Sequence, residues 1–302
     1  MYDVTVLGSI NIDTLMSVDR APRIGETLVG NDVDYMLGGK GCNQAVAASR
    51  VGANVCMLGA VGADSFGEKA LSYLSKESLD ITQVKKDSVI FTGIATILKY
   101  PQDNSIIVIP GANSLVDEAY LESVEETIRC SKVLLLQHEI PLKIVEKSLK
   151  IAKKNKVMTI LNPAPFSTVV SKWFDLIDVI TPNEIEFMEL CHSYFENPGT
   201  MEENMLRLSE KFRMKVIVTL GSKGIAYVLD GVVNYMENIK VTVQDTTGAG
   251  DTFNGILAAQ LADDEDYTAA LRLANVGASI STEKFGAQTG MPNVEEILSR
   301  LV

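Results

Sequence analysis

The chain has 302 residues, 46% of them apolar, and carries a formal net charge of −12 with a pI near 4.7. That length suffices for one large hydrophobic core or two small ones. The acidic balance, with no Lys/Arg cluster, argues against a nucleic-acid footprint and against docking on an anionic membrane.

The opening MYDVTVLGSI has no basic segment and only a short apolar run, so it reads as a strand rather than a secretion signal. Nothing along the chain approaches the roughly 18 apolar residues of a membrane span. Cys42, Cys56, Cys130 and Cys191 are scattered with no CxxC, the usage expected of reduced thiols in the cytoplasm. His138 and His192 are the only histidines. A His-rich zinc site is therefore not expected, and the neighbours Cys191-His192 read as packing or surface residues.

Strands are predicted at Val4–Gly8, Asn54–Val61, Lys132–Gln137, Val157–Leu161, Val179–Thr181, Lys215–Leu220 and Ile225–Leu229. Runs such as VLLL and VIVTL are apolar on both faces, as in a sheet covered on both sides. Helical patterns lie between them. PLKIVEKSLKIAKKN puts Leu142, Val145, Leu149 and Ala152 on one stripe, opens with proline and closes with basic residues, as the helix dipole favours. DEAYLESVEETIRC and MEENMLRLSEKFRM read alike. The alternation predicts an α/β layered fold around a mainly parallel sheet. Two segments break it: Thr14–Leu37, with β pieces around Thr27–Gly30 and Asp32–Leu37, and GIATILKYPQDNSIIVIPG, two β runs about a turn at Pro101–Asn104. Both read as a small β-sheet excursion from one main body, with no linker and no repeat.

Four stretches carry candidate chemistry at strand ends, where open α/β sheets bind ligands. In DTTGAGDTFNG, Gly248, Ala249 and Gly250 let the backbone turn its N–H groups toward one point as a helix begins. Asp251 sits in the first turn. That suits either a plain helix cap or a base beside an anion hole. In LGGKGCNQAVAAS, glycines flank Lys40 while Asn43 and Gln44 open an Ala-rich helix. GxxxxGK[ST] is absent from the chain, so this is no Walker loop; it is either a turn into a helix or a hydroxyl-binding stretch. In GSINIDTL, Asn11 and Asp13 alternate with isoleucines and share one face, able to hold vicinal hydroxyls. In ITPNEIE, Asn183 and Glu186 share a helix face within reach of a hydrated Mg²⁺, and in VTLGSKG, Thr219, Gly221 and Gly224 form a flexible turn.

Together with PGAN, LNPAP and KFGAQ, in that order and spacing, these stretches resemble the ribokinase-like branch of the PfkB-type carbohydrate kinase family over nearly the whole chain. DTTGAGD carries the family signature, and GGKGCNQA, with its Lys40, the branch. The resemblance implies a three-layer αβα fold with a central mostly parallel sheet and a β lid, here residues 12–38 and 91–110 of a single 1–302 domain. It implies phosphorylation of the ribose 5-hydroxyl by ATP, with Asp251 as base and Gly248, Ala249 and Gly250 as anion hole. Asn11, Asp13, Gly39, Lys40, Asn43 and Glu139 match sugar contacts. Asn183, Thr219, Gly221, Ser222, Gly224, Gly250 and Asn275 match nucleotide contacts, and Asn183 with Glu186 resembles an element tied to Mg²⁺. Asp245 and Thr247, with the backbone oxygens of Ser281, Lys284, Gly286 and Gly290, match a K⁺ site. A homodimer clasped through the lid is also implied. Cys42, His138 and Gly290 depart from the usual alanine, leucine and serine. A deoxyribokinase or another PfkB-type sugar kinase, and a sugar-binding regulator that has lost catalysis, are the alternatives.

Overall fold

In the computed structural model, which describes residues 1–101 and 104–301, alternate residues of each central strand pack against different helical layers. The nine-stranded main sheet runs β15 (Val232–Met236), β14 (Ile225–Leu229), β13 (Lys215–Thr219), β12 (Val179–Ile180), β11 (Met158–Leu161), β10 (Ser131–Leu136), β1 (Tyr2–Leu7), β4 (Val55–Leu58), β6 (Leu79–Asp80). From β6 to β13 every neighbouring pair is parallel; β14 and β15 turn back antiparallel. On β10, Val133 and Leu135 join one buried cluster and Leu134 and Leu136 the other, which is why VLLL is apolar throughout.

The first cluster lies under α1 (Lys40–Arg50), α7 (Ala249–Ala262) and α8 (Tyr267–Ser281), with α9 (Val294–Leu298) against it through Ile297. The second lies under α3 (Glu118–Arg129), α4 (Leu142–Lys154), α5 (Glu184–Tyr194) and α6 (Met201–Phe212). Val145, Leu149 and Ala152 of α4 are buried there, as their stripe requires. Helix α2 (Ser65–Leu74) starts at Asp64, whose carboxylate caps the N–H of Gly67 at 2.8 Å. The architecture is therefore the expected three-layer α/β one.

A separate four-stranded sheet is built from β3 (Asp32–Gly38), β2 (Asn11–Ser17), β8 (Gly93–Lys99) and β9 (Asn104–Ile109). Here the structure corrects one expectation. Thr27–Gly30 forms no strand and lies largely exposed; β3 takes its partner from Asn11–Ser17 instead. The run has β propensity but no neighbouring chain to pair with. Of the turn at Pro101–Asn104, residues 102 and 103 fall outside the described residues. The predicted strand Asn54–Val61 is two strands, because β5 (Ala60–Gly62) leaves the main sheet to pair with β7 (Lys85–Asp87). The break falls at Gly59, whose N–H donates to Tyr120 Oη at 3.0 Å and whose carbonyl accepts from Lys85 N at 2.9 Å. Strand β15 was unforeseen, although Asp230 and Gly231, both at positive φ, mark a tight hairpin turn.

Candidate active site

The carboxyl ends of β1, β10, β11, β12 and β13 deliver Ser9, Glu139, Asn162, Asn183 and Thr219 to one side of the sheet. Helix α7 begins there. Its N-cap, Gly248, holds φ 78°, a left-handed conformation open to glycine, and a side chain would strike Ala287 at 2.8 Å. Among the described residues no side chain caps this helix start, so its N–H groups and dipole are available to an anion.

Asp251 lies in that first turn and is 7% exposed. Its Oδ2 accepts from Asn43 Nδ2 at 2.9 Å and its Oδ1 from Gln44 Nε2 at 3.0 Å. Both amides come from the first two turns of α1, which packs against α7. Helix α1 begins at Lys40, earlier than its apolar run indicates; Gly39 bends the chain into it at φ 90°, with Asn11 and Ser9 backbone atoms 2.9 Å from any added Cβ.

A cavity of about 120 Å³ is lined by Lys40, Asn183, Glu186, Thr219, Gly250 and Asp251, among others. A second, of about 530 Å³, is lined by Asn11, Lys40, Asn113, His138 and Glu139, with Val108 of the small sheet and an apolar wall from Ile140 to Leu142. Lys40 faces both. A larger, open surface hollow near Arg207 and Phe195 is remote from these groups.

The acids are crowded. Glu139 Oε2 accepts from Ser9 Oγ at 2.5 Å and from Lys40 N at 3.0 Å. Asp13 is buried, and its Oδ1 has no partner among the described residues. Burial first, then the charges of Glu139 and Asp251, raise its carboxyl to about 7, with Lys40 opposing. Lys40 is held above the usual ammonium range, chiefly by Asp251 against the pull of desolvation, with Glu139, Glu186 and Asp13 adding. Asn11 and Asp13 do share a buried face of β2; Asn11 Oδ1 accepts from Asn113 Nδ2 at 2.7 Å.

Asn183 and Glu186 form a reciprocal capping box on α5, at 2.8 and 2.9 Å. Burial raises the Glu186 carboxyl, the Asn183 N–H and Lys40 working against it. One carboxylate and one amide are too few to cage Mg²⁺, but they suit an ion shared with phosphate oxygens and water. Among the described residues no group of three or more His, Cys, Asp or Glu could hold a metal.

Gly221, Ser222 and Gly224 make the turn after β13 and, like Asn275, line neither cavity. They are tied together by Asn238 Nδ2 to Gly221 O and Asn275 Nδ2 to Glu237 O, both 2.9 Å. Asp245 accepts from Thr247 N and Gly286 N at 2.9 Å each and from Thr247 Oγ1 at 2.7 Å. Burial opposes ionisation there, but these donors keep the carboxyl below its usual range. The carbonyls of Ser281, Lys284, Gly286 and Gly290 accept no backbone hydrogen bond from the described residues, and Ser281 O lies against Gly290. Hard carbonyl oxygens left without a backbone donor among the described residues, beside an ionised Asp245, fit a monovalent cation. His138 Nδ1 pairs with Pro165 O at 3.0 Å, its ring stands edge-on to Trp173, and burial lowers its pKa.

Sequence reasoning gave no role to Ser9, Asn113, Gln137, Asn162 or Gln288. Asn113, Asn162 and Gln288 sit in PGAN, LNPAP and KFGAQ, so a signal was present; their partners come from distant segments and were not readable.

Residues 1–294 match the pfkB family carbohydrate kinases, and the chain belongs to that family. It is 40% identical over 302 residues to a ribokinase of Lactococcus lactis, covering 100% of this chain and 97% of that protein. It is 30% identical to a deoxyribokinase of Salmonella typhi, covering 97% of each. Arabidopsis thaliana ribokinase complexed with ribose and ATP superposes with a TM-score of 0.90 at 29% identity, covering 99% of this chain and 98% of that one.

The Asp13 carboxyl predicts a pH-dependent stability. Between its ordinary value near 3.9 and its folded value the native state holds a proton that the unfolded chain releases, so stability falls as pH rises through this window and levels off above about 7. Asp13→Asn removes the titration. Its stability relative to wild type should grow from little near pH 4 to on the order of a few kcal/mol by pH 8. Thermal midpoints of both proteins across that range check this; a constant offset would contradict it.

Proposed function

We propose that the chain transfers the γ-phosphoryl group of ATP to the 5-hydroxyl of D-ribose, giving D-ribose 5-phosphate and ADP. The observation that carries this reading is the junction of the two cavities, where Lys40 faces both and Asp251 adjoins an uncapped helix start. Sugar bound in the larger cavity presents a hydroxyl toward Asp251. The carboxylate takes its proton as the oxygen attacks the γ-phosphorus, and the bond to the β-phosphate oxygen breaks. Gly248, Ala249 and Gly250 turn the helix N–H groups onto the developing phosphoryl charge, and Lys40 neutralises it. Positioning and charge stabilisation supply most of the catalysis in phosphoryl transfer.

Asn11, Asp13, Gly39, Lys40, Asn43 and Glu139 hold the sugar hydroxyls. Thr219, Gly221, Ser222, Gly224 and Asn275 hold the nucleotide, and Asn183 and Glu186 would hold Mg²⁺, which would supply positive charge to the transfer. Asp245 and Thr247, with the Ser281, Lys284, Gly286 and Gly290 carbonyls, would hold K⁺, whose charge would be supplied beside the anion hole. Segments 12–38 and 91–110 act as a lid on one 1–302 unit; the four-stranded sheet and the contribution of Val108 to the sugar cavity support this. Ile106, Ile107, Val108 and Ile109 of β9 are 46–58% exposed, a surface that supports a homodimer closed through the lid. Four unpaired cysteines support a cytoplasmic setting.

The second reading is 2-deoxyribose as substrate. Asn11 favours ribose. A site built to bond a hydroxyl leaves its own polar groups unpaired when that hydroxyl is missing. The intact Asp251 and glycine stretch favours a working kinase over an inactive regulator.

In a panel of ribose, 2-deoxyribose, fructose and nucleosides with ATP, kcat/KM for ribose should exceed that for 2-deoxyribose by about tenfold or more, the scale of one lost hydrogen bond. Asn11→Met should narrow the gap, mainly by damaging ribose use. Exchanging potassium for choline in the same assay should lower the rate without unfolding the protein. Equal use of both sugars, or equal rates in both salts, would count against the respective assignment.

A further inference from the structure

Asp251 is held by two amides, and each of those amides is itself held. Gln288 Nε2 donates to Asn43 Oδ1 at 2.9 Å, while Asn43 Nδ2 donates to Asp251 Oδ2. On the other side Gln137 Nε2 donates to Gln44 Oε1 at 2.6 Å, while Gln44 Nε2 donates to Asp251 Oδ1 and, at 3.2 Å, to Asn162 Oδ1. A side-chain amide has a donor end and an acceptor end, and a half-turn exchanges them with little change in shape. Beside a carboxylate only one of the two orientations is attractive. An outer N–H on the amide oxygen selects that orientation before any substrate arrives. Asn43 and Gln44 each receive such a donor, from segments far apart in the chain.

We propose that Gln288 and Gln137 are positioning residues that lock the inner amides donor-inward and so fix the rotation of the Asp251 carboxylate toward the hydroxyl it deprotonates. The inference rests on the reading of Asp251 as the base. Gln288 suits a test because its loop is anchored independently: Arg50 Nη1 donates to the carbonyls of Gln288 and Met291 at 2.5 and 3.0 Å. Replacing the side chain leaves those bonds in place.

Three variants separate positioning from packing. Gln288→Met and Gln137→Met remove an outer donor and keep the volume. Gln288→Glu offers only acceptors, so Asn43 is satisfied there by flipping, which turns its oxygen onto Asp251. A carboxylate that loses an N–H and faces an oxygen binds its proton more tightly. The acid limb of the pH–rate profile should therefore move to higher pH. Asp13 on β2, Lys40 on α1, Glu139 after β10 and Glu186 on α5 are the other charged groups of the site. None of them hydrogen-bonds the Gln288 or Gln137 side chain, so an acid limb that moves to higher pH in these variants reports Asp251 rather than Asp13.

The measurement is kcat and KM for ATP against pH, with ribose saturating, alongside circular dichroism. The expected order of kcat is wild type, then the Met variants, then Gln288→Glu. The last should fall by about tenfold or more, the scale of one charge-assisted hydrogen bond. Its acid limb should lie about one pH unit higher, with KM for ATP within about twofold. If Gln288→Glu does not fold, the two Met variants must still show lower kcat and a raised limb. Unchanged kcat and limb in the folded variants overturn the proposal. So does an equal loss in Met and Glu variants with the limb unmoved, which is packing alone. Retention of wild-type kcat by Asp251→Asn in the same assay overturns the assignment of Asp251 as base instead.

Discussion

A carboxylate withdrawn from water must be given hydrogen-bond donors, and Asp251 receives them from the first two turns of α1. Much of the architecture follows. Helix α1 must start against the carboxyl end of β1 and run beside α7, so the two are packed through small residues such as Ala45, Ala47, Ala48 and Ala258, all buried in one cluster. The turn into α1 at Gly39 and the turn into α7 at Gly248 aim both helix starts at one place. Between them lies Lys40, among the described residues the only lysine or arginine lining either cavity.

Charge sets the second constraint. Asp13, Glu139, Asp251 and Glu186 all act on Lys40. The site is short of positive charge relative to its acids, and Asp13, already disfavoured as a carboxylate by burial, holds its proton more tightly for it. Such a site is made for a ligand that brings hydroxyl donors to the acids and, on the other side of Lys40, for a cation-bearing phosphate.

Much of this was legible in the sequence. Strands apolar on both faces declared a covered parallel sheet. GAGD declared a tight turn into a helix with an acid in its first turn, and the alternation of Asn11 and Asp13 with isoleucines put both on one face of β2. What could not be read depends on distant partners. The proton affinity of Asp13 comes first from its burial in the finished fold and then from Glu139 and Asp251 on other segments. The amides of Gln137 and Gln288 acquire meaning only when α1 is seen between them. Thr27–Gly30 looked like a strand because propensity is local while pairing is not. Asp230-Gly231, by contrast, was a local signal left unused.

The central claim is that Asp251 takes the proton of the attacking sugar hydroxyl. It is tested most directly in the Asp251→Asn variant, with ribose and ATP binding measured by calorimetry and phosphoryl transfer measured in a single turnover. The account predicts binding close to wild type and transfer slowed on the order of 10²–10⁴-fold, the usual cost of removing a general base. Transfer at more than about a tenth of the wild-type rate, with both substrates bound, would contradict it.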